Sequence, residues 1–154
     1  MGKKITINID GKEIGKDELK KRFKAYNDLY FNCKLGECDF SFFSKNTSYL
    51  GWYNSRNDKN GKPKDKIWIG TCVKWTDESL ERIMVHEMVH MYVYRIKKCK
   101  LDGLLGHGRR FRRKCRLIKN DYGIDVLTQP KVEFLDKKFL PKPWEKVLLW
   151  LIDR

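Results

Sequence analysis

The first apolar residues of the chain alternate with polar ones, which is the period of a β-strand. The run ITINIDGKEI contains two such stretches joined by Asp10-Gly11, a dipeptide typical of tight hairpin turns. From Asp17, a candidate N-cap, the apolar period lengthens to that of a helix. The apolar stripe of this helix consists of Leu19, Phe23, Tyr26 and Tyr30. The pattern therefore predicts a hairpin followed by an amphipathic helix.

Three further strand patterns follow this helix: CDFSFFS, TSYLGWYN and KIWIGTCV. Only Lys45-Asn46 separates the first pattern from the second, which predicts a hairpin between them. The polar loop SRNDKNGKPKD joins the second pattern to the third. We therefore expect a small meander sheet, antiparallel or mixed, ahead of a central helix.

The central helix is predicted to begin at Thr76, with Asp77 and Glu78 in the first turn, where the helix dipole favours negative charge. Its end is predicted in the basic stretch RIKKCK, where the dipole favours positive charge. The glycine-rich LDGLLGHG that follows has the composition of a loop.

Another helix is predicted over RRFRRKCRLIK and is expected to end at Gly123. The apolar residues on its one face are Phe111, Cys115 and Ile118. Pro143 could open a terminal helix. Its inward side chains would be Trp144, Leu148, Leu151 and Ile152. Strands and helices in this order predict an α+β fold.

Length and composition favour one ordered domain over residues 1–154. A chain of 154 residues can bury a real hydrophobic core. Apolar residues make up 41% and aromatic residues 13%, which argues against global disorder even with 35% charged residues. The pattern contains no internal repeat and no convincing linker, and it leaves the oligomeric state open.

Compartment signals in the sequence point away from membranes and secretion. No stretch approaches the roughly 20 consecutive apolar residues that span a bilayer. The opening MGKKITINID lacks the apolar segment of a secretory signal. The five cysteines are odd in number and form no C-x-x-C pair, so free thiols are expected. We therefore expect a cytoplasmic or nucleoid-associated protein that is not secreted and has no membrane partner.

Basic residues dominate the charge of the chain, with a net charge of +14 at pH 7. Such a charge attracts polyanions such as DNA, although a basic protein without such a partner is the alternative. From Arg109 to Lys119, seven of eleven residues are basic. The candidate nucleic-acid contacts are Arg109, Arg110, Arg112, Arg113, Lys114 and Arg116. Arginine pairs well with phosphate, and the alternative is a merely solvated helix face.

Four aromatic residues of the strand region could stack on exposed bases. They are Trp52, Tyr53, Trp68 and Trp75. Packing in the core of the sheet is the alternative for most of them. Base-specific recognition is not indicated by the sequence.

The central helix contains the stretch IMVHEMVHMYV, which sets His86, Glu87 and His90 in an apolar run. Residues four apart on a helix lie on the same face, so the two imidazoles could bind one tetrahedral Zn²⁺. Glu87 follows the first histidine and could take a proton from a water molecule that the metal activates. This is the H-E-x-x-H arrangement of zinc peptidases.

The alternative is a core helix with two hydrogen-bonded histidines. The neighbouring residues make the helix apolar nearly all round, which predicts burial. They are Ile83, Met84, Val85, Met88, Val89, Met91 and Val93. Burying Glu87 and two histidines is costly unless they have a strong partner, and a metal ion supplies one.

A catalytic zinc takes three protein ligands, so a third ligand is needed. The remaining histidine of the chain is His107, whose neighbours Gly106 and Gly108 allow close approach of the backbone. Asp102 and Asp121 are weaker candidates for this position. Metzincins place Gly three and His six residues after the second ligand. Here those positions hold Val93 and Ile96, which excludes that class.

The chain resembles the SprT-like family, zincin-fold metalloproteases that include the Spartan-type DNA–protein crosslink proteases. The resemblance rests on VHEMVH followed by HGRRF, with NDLYFNCKL and YLGWYNSR upstream, and covers roughly residues 19–125. It implies a zincin-like domain with zinc bound by His86, His90 and His107, and Glu87 as the catalytic acid/base. It also implies that Phe111 packs the helix of the third ligand against the core.

Two departures from the family pattern concern the C-terminal part. Many relatives carry a cysteine-rich zinc ribbon, and the sequence after Cys115 could not form one. Residues 126–154 have no counterpart that we can place.

The predicted function is zinc-dependent hydrolysis of peptide bonds, in proteins on or near DNA. The first alternative is a zinc peptidase unrelated to DNA, whose basic surface handles acidic proteins. The second is a non-catalytic nucleic-acid-binding module with a structural zinc.

Overall fold

A computed structural model describes residues 4–44, 49–100 and 107–136 of the chain. Seven strands and three helices lie in these ranges. The predicted terminal helix at Pro143 and most of the predicted loop LDGLLGHG lie outside the described residues.

The N-terminal hairpin is confirmed. Strand β1 (Ile7–Ile9) pairs antiparallel with β2 (Lys12–Ile14). Asp10 and Gly11 form the turn with φ of 49° and 85°, and the Asn8 side chain accepts a hydrogen bond from the Gly11 amide. Glycine and aspartate tolerate this left-handed conformation, which explains the dipeptide at this position.

Helix α1 (Lys16–Phe31) follows, and the predicted apolar stripe faces inward. Leu19, Phe23 and Tyr30 are buried, and Tyr26 is half-buried. The prediction of Asp17 as N-cap is wrong. The N-cap is Gly15, and Asp17 is the second residue of the helix, where its negative charge still interacts favourably with the helix dipole.

The central sheet contains β3 (Cys38–Phe43), β4 (Gly51–Asn54) and β5 (Asp65–Gly70). Their order is β3-β5-β4, with β5 parallel to β3 and antiparallel to β4. The predicted hairpin between the first two strands is therefore wrong, and the sheet is mixed. Ile67 and Ile69 of β5 are fully buried, so the most buried strand takes the centre. Sequence proximity shows which strands are neighbours in the chain, but not which edges they share.

The two remaining helices agree with the pattern. Helix α2 (Asp77–Arg95) has Thr76 as its N-cap, and the Thr76 hydroxyl accepts a hydrogen bond from the Ser79 amide in a capping box. Helix α3 (Arg109–Tyr122) ends at Gly123, which has φ of 74°. The predicted apolar face of α3 is fully buried.

Two further short strands complete the described structure. The first begins at Val73, the last residue of the predicted strand KIWIGTCV, and the second was not predicted from the sequence. Strand β6 (Val73–Lys74) pairs antiparallel with β7 (Glu133–Phe134). This pairing brings the segment after α3 back beside the start of α2.

The helices pack around one apolar core. Helix α1 contacts β3, and α2 contacts β4, β5 and α3, so α2 lies at the centre. Ten residues of α2 are buried, among them Glu87. Within the described ranges, no helix has the length and apolar character needed to cross a membrane.

Candidate active site

Three imidazoles meet where α2 passes the start of α3. His86 and His90 lie one turn apart on α2, and His107 precedes the first residue of α3. Their ligand nitrogens all lie within 4.8 Å of one another. The Nε2 atoms of His86 and His107 are 3.2 Å apart. The structure thus brings together the three histidines that the sequence singled out.

The other two candidates for the third ligand are not part of this group. Asp121 lies near the far end of α3, and in the part of the chain that the structure describes, the histidine cluster does not include it. Asp102 lies outside the described residues.

The donor set fits a metal ion. Burial lowers the pKa of His90 to about 2, and the charges of His86 and His107 add to this effect. A neutral imidazole keeps a ring nitrogen lone pair for coordination. Three imidazole nitrogens that lie this close together can hold a metal ion.

His86 has a second contact that fixes its ring. Its Nδ1 lies 2.6 Å from the carbonyl oxygen of Val126, in the loop after α3. A carbonyl only accepts hydrogen bonds, so Nδ1 carries the proton and donates it. This tautomer leaves the lone pair on Nε2, the atom that faces His107.

Phe111 lies against all three imidazoles. Its ring centroid is 4.9 Å from that of His86, 4.3 Å from His90 and 4.6 Å from His107. The ring is fully buried. It joins α3 to α2 directly beside the candidate ligands, as expected for this aromatic residue.

Glu87 is buried between α2 and the edge strand β4, with 6% of its surface exposed. Its carboxylate accepts a hydrogen bond from the backbone of Tyr53. Burial raises the pKa of Glu87 to about 8, although the Tyr53 bond opposes this shift. A carboxyl group in this range can both take up and release a proton near neutral pH.

The family comparison covers this whole arrangement, because residues 19–132 match the SprT-like family. The chain belongs to the SprT-like family. A comparison with curated proteins found no match. SprT-like proteins are of the metallopeptidase type and metal-dependent. The match extends beyond residue 125, where the sequence resemblance stopped, and it includes Val126.

One network of this SprT-like domain was missed from the sequence. The Tyr53 hydroxyl donates to Asp65 Oδ1 at 3.0 Å, and Arg95 Nη2 lies 2.8 Å from the same oxygen. Asp65 is only 3% exposed. The network joins β4 and β5 to the end of α2. A signal was present, because Asp65 alternates in phase with Ile67 and Ile69 and so belongs to the buried face.

Some arginines of α3 lie on one exposed face, and others donate hydrogen bonds to neighbouring parts of the protein. Arg109, Arg113 and Arg116 are exposed along one face. Arg112 Nε donates to the His107 carbonyl at 2.9 Å and supports the third histidine. Arg110 donates to the sulfur of Cys99.

Lys114 differs from the other basic residues of α3. Its ammonium donates to the Tyr30 carbonyl at 2.8 Å and lies 5.0 Å from the ring centroids of Phe31 and Tyr92. Burial lowers its pKa. This lysine joins α3 to α1 and is only partly exposed, which the basic pattern of the helix did not predict. Its assignment to nucleic-acid contact stays a prediction.

The aromatic residues of the strands also differ among themselves. Trp75 is 1% exposed, and its indole donates to the Gly70 carbonyl. Trp52 is 61% exposed on β4, directly across from Trp68 of β5. Core packing therefore holds for Trp75, and Trp52 is open to solvent.

Proposed function

We propose that the protein is a zinc metalloprotease with a zincin-like site that hydrolyses peptide bonds of proteins on or near DNA. The observation that carries the proposal is the clustering of three imidazole nitrogens, with the buried Glu87 next to His86 in the chain. In this proposal His86, His90 and His107 hold one Zn²⁺, and Glu87 is the catalytic acid/base. A cytoplasmic or nucleoid-associated location goes with it.

Zinc bound by these histidines would polarise the substrate carbonyl and lower the pKa of a water molecule toward neutrality. Glu87 then takes the proton of the attacking water and passes it to the leaving amine. The raised pKa of Glu87 suits this double role, because a carboxyl group at its ordinary pKa would protonate the amine poorly. The Tyr53 backbone orients the carboxylate for both steps.

The edge of β4 offers a place for the substrate chain. Among the described strands, β4 pairs with β5 alone. An extended peptide can add to such an edge through backbone hydrogen bonds, which fits proteins of varied sequence. Because Tyr53 of β4 contacts Glu87, a peptide bound there lies next to the acid/base.

Support for a DNA-bound substrate comes from charge. The net charge is +14, and the exposed arginines of α3 begin two residues after His107. Guanidinium groups pair with phosphates, so DNA would be held beside the site. The rival without DNA is a peptidase for acidic proteins, which shares the same site chemistry.

Replacement of Glu87 tests whether the protein is an enzyme with Glu87 as its acid/base. We expect Glu87→Gln to keep stoichiometric zinc and to lower the rate of protein hydrolysis by about 10²–10⁴-fold, the usual contribution of general acid–base catalysis. Metal analysis and a cleavage assay, with and without DNA, measure the two effects. His107→Ala is the matched control, since it should lose the metal as well.

Equal hydrolysis by the wild type and Glu87→Gln would contradict the enzymatic role. Zinc binding with no hydrolysis by either protein would favour the non-catalytic module with a structural zinc. Hydrolysis that DNA does not stimulate would favour the peptidase unrelated to DNA.

A further inference from the structure

The loop that follows α3 is tied to α2 one turn before His86. Arg82 Nε donates to the Asp125 carbonyl at 2.6 Å, and Arg82 Nη2 donates to the Thr128 carbonyl at 3.0 Å. The same Nη2 lies 3.2 Å from the Thr128 hydroxyl. One guanidinium therefore holds both ends of the Asp125–Thr128 loop, which contains the buried Val126.

The side chain of Asp125 is hydrogen-bonded to other residues of the same loop. Its Oδ1 accepts hydrogen bonds from the amides of Leu127 at 3.1 Å and Thr128 at 3.2 Å. Its Oδ2 accepts a bond from the Thr128 hydroxyl at 2.6 Å. Three bonds to one carboxylate fix the backbone conformation, and with it the direction of the Val126 carbonyl.

We propose that Arg82 and Asp125 are positioning residues which hold the Val126 carbonyl on His86 Nδ1 and thereby set the tautomer of this histidine. The role of His86 as a ligand rests on the proposed function, but its tautomer does not. The hydrogen bonds of Arg82 and Asp125 described above all run to this loop, so in this proposal both residues act through it.

The geometry explains why two residues are needed. Arg82 and His86 are four apart on α2 and so face the loop from the same side. Arg82 sets where the loop lies, and Asp125 sets how its carbonyls point. In the opposite tautomer, Nε2 would carry the proton and could not coordinate a metal. The lone pair of Nδ1 would then face a lone pair of the Val126 carbonyl oxygen, and the two would repel each other.

The tautomer can be measured in the metal-free protein by ¹⁵N–¹H correlation spectra of the histidine rings, in mildly alkaline solution where imidazoles are neutral. We expect the wild type to show His86 with the proton on Nδ1. Arg82→Met and Asp125→Ala should each show a mixture of tautomers. Asp125→Asn should resemble the wild type, because its amide oxygen can still accept from both backbone amides.

Zinc affinity provides the second measurement, by competition with a chromogenic chelator. Loss of a partner that orients a ligand histidine typically costs 10–100-fold in metal affinity. We expect a loss of this size for Arg82→Met and Asp125→Ala, and none for Asp125→Asn. Lys74→Met is the matched control, because it breaks the exposed ion pair between Lys74 of β6 and Glu133 of β7. Strand β7 follows the loop, so this change loosens the same segment while the hydrogen bonds around Val126 stay in place.

An unchanged His86 tautomer in Arg82→Met and Asp125→Ala would overturn the proposal, whatever happens to stability. An equal loss of zinc affinity in Lys74→Met would do the same, because it would reduce the role to general tethering of the segment. If the wild type bound no zinc, the proposed function would fail, and the tautomer comparison would still decide the role of Arg82 and Asp125.

Discussion

Gly51 lies where β4 passes closest to the helix that carries Glu87. A Cβ atom at this position would lie 2.7 Å from Ile83 Cγ2 and 3.3 Å from Glu87 Cγ and Oε1. Only glycine lets the edge strand and α2 approach this closely. The close packing keeps the carboxylate buried against the strand, and the raised pKa of Glu87 depends on that burial.

Gly51→Ala tests this close approach. We expect a decrease of about 1–3 kcal/mol in the free energy of unfolding, which is typical of overpacking, together with slower hydrolysis because Glu87 is displaced. Gly36→Ala is the control, since a Cβ there meets nothing within 4 Å. Denaturant unfolding and kcat/KM give the two values. Similar decreases in both variants would mean that the close approach at Gly51 has no special role.

Asp65 and Arg95 form an ion pair whose side chains are 1% and 19% exposed. Asp65→Asn leaves the guanidinium without its countercharge. Removing one partner of a buried pair costs roughly 3–5 kcal/mol, and we expect the lower end of this range because Arg95 retains some contact with water. Urea unfolding measures the change.

The matched control for Asp65→Asn is Asp39→Asn, which breaks the pair with Lys20. Those side chains are 63% and 53% exposed. We expect a change below about 1 kcal/mol, as for most surface pairs. If the two variants were destabilised equally, the Tyr53–Asp65–Arg95 network could not be what joins the sheet to α2.

At the scale of elements, α3 is attached to α1 and α2 by an apolar face, by Lys114 and by Tyr122, whose hydroxyl donates to the Leu29 carbonyl. Phe111, Cys115 and Ile118 are buried, and Lys114 caps the last turn of α1 through the Tyr30 carbonyl. Cations at helix C-termini interact favourably with the helix dipole. The position of His107 at the start of α3 depends on this attachment.

Lys114→Gln tests the attachment. We expect a decrease of about 1–3 kcal/mol in the free energy of unfolding, because a charged hydrogen bond and two ring interactions are removed. Arg113→Gln, at the neighbouring exposed position, should leave stability nearly unchanged. The effects on DNA binding should be the opposite: Arg113→Gln should bind DNA more weakly than Lys114→Gln. A stable Lys114→Gln with reduced DNA affinity would mean that Lys114 contacts DNA, as the sequence predicts, and does not anchor α3.

The pairing of the strands was the part of the fold that the sequence predicted least well. The periods of 2 and 3.6 residues located the strands and helices well, since each period reflects burial of one face. The order β3-β5-β4 depends instead on which edges meet, and on contacts between residues far apart in sequence. The strand β7 has only two residues, Glu133 and Phe134, which are too few to show a period.

At the scale of the whole molecule, the net charge of +14 predicts salt-sensitive binding of nucleic acid. We expect the triple variant of Arg109, Arg113 and Arg116 to Gln to bind DNA more weakly. The slope of log K against log salt should become shallower by about 0.9 for each duplex phosphate that the variant no longer neutralises. Fluorescence anisotropy over a salt series measures both changes.

The control for the triple variant removes the same charge elsewhere. Lys16, Lys21 and Lys24 lie exposed on α1, and their replacement by Gln should leave the salt slope nearly unchanged. Equal effects of the two triple variants would mean that total charge, and not the face of α3, determines binding.

Local features and the identity of the candidate ligands follow from the amino-acid sequence alone. Burial alternates with a fixed period in each element, caps act within a few residues, and His86 and His90 are brought together by the geometry of a single helix. The third histidine could be named as well, because the chain contains only three.

Which distant groups meet became visible only in the folded structure. The fold placed Lys114 against α1, joined Asp65 to Arg95, and brought the carbonyl of Val126 to the ring of His86. These contacts join residues that are 30 to 84 positions apart. They form because packing of the whole core fixes the distances between elements, and a pattern read along one element at a time holds no information about them.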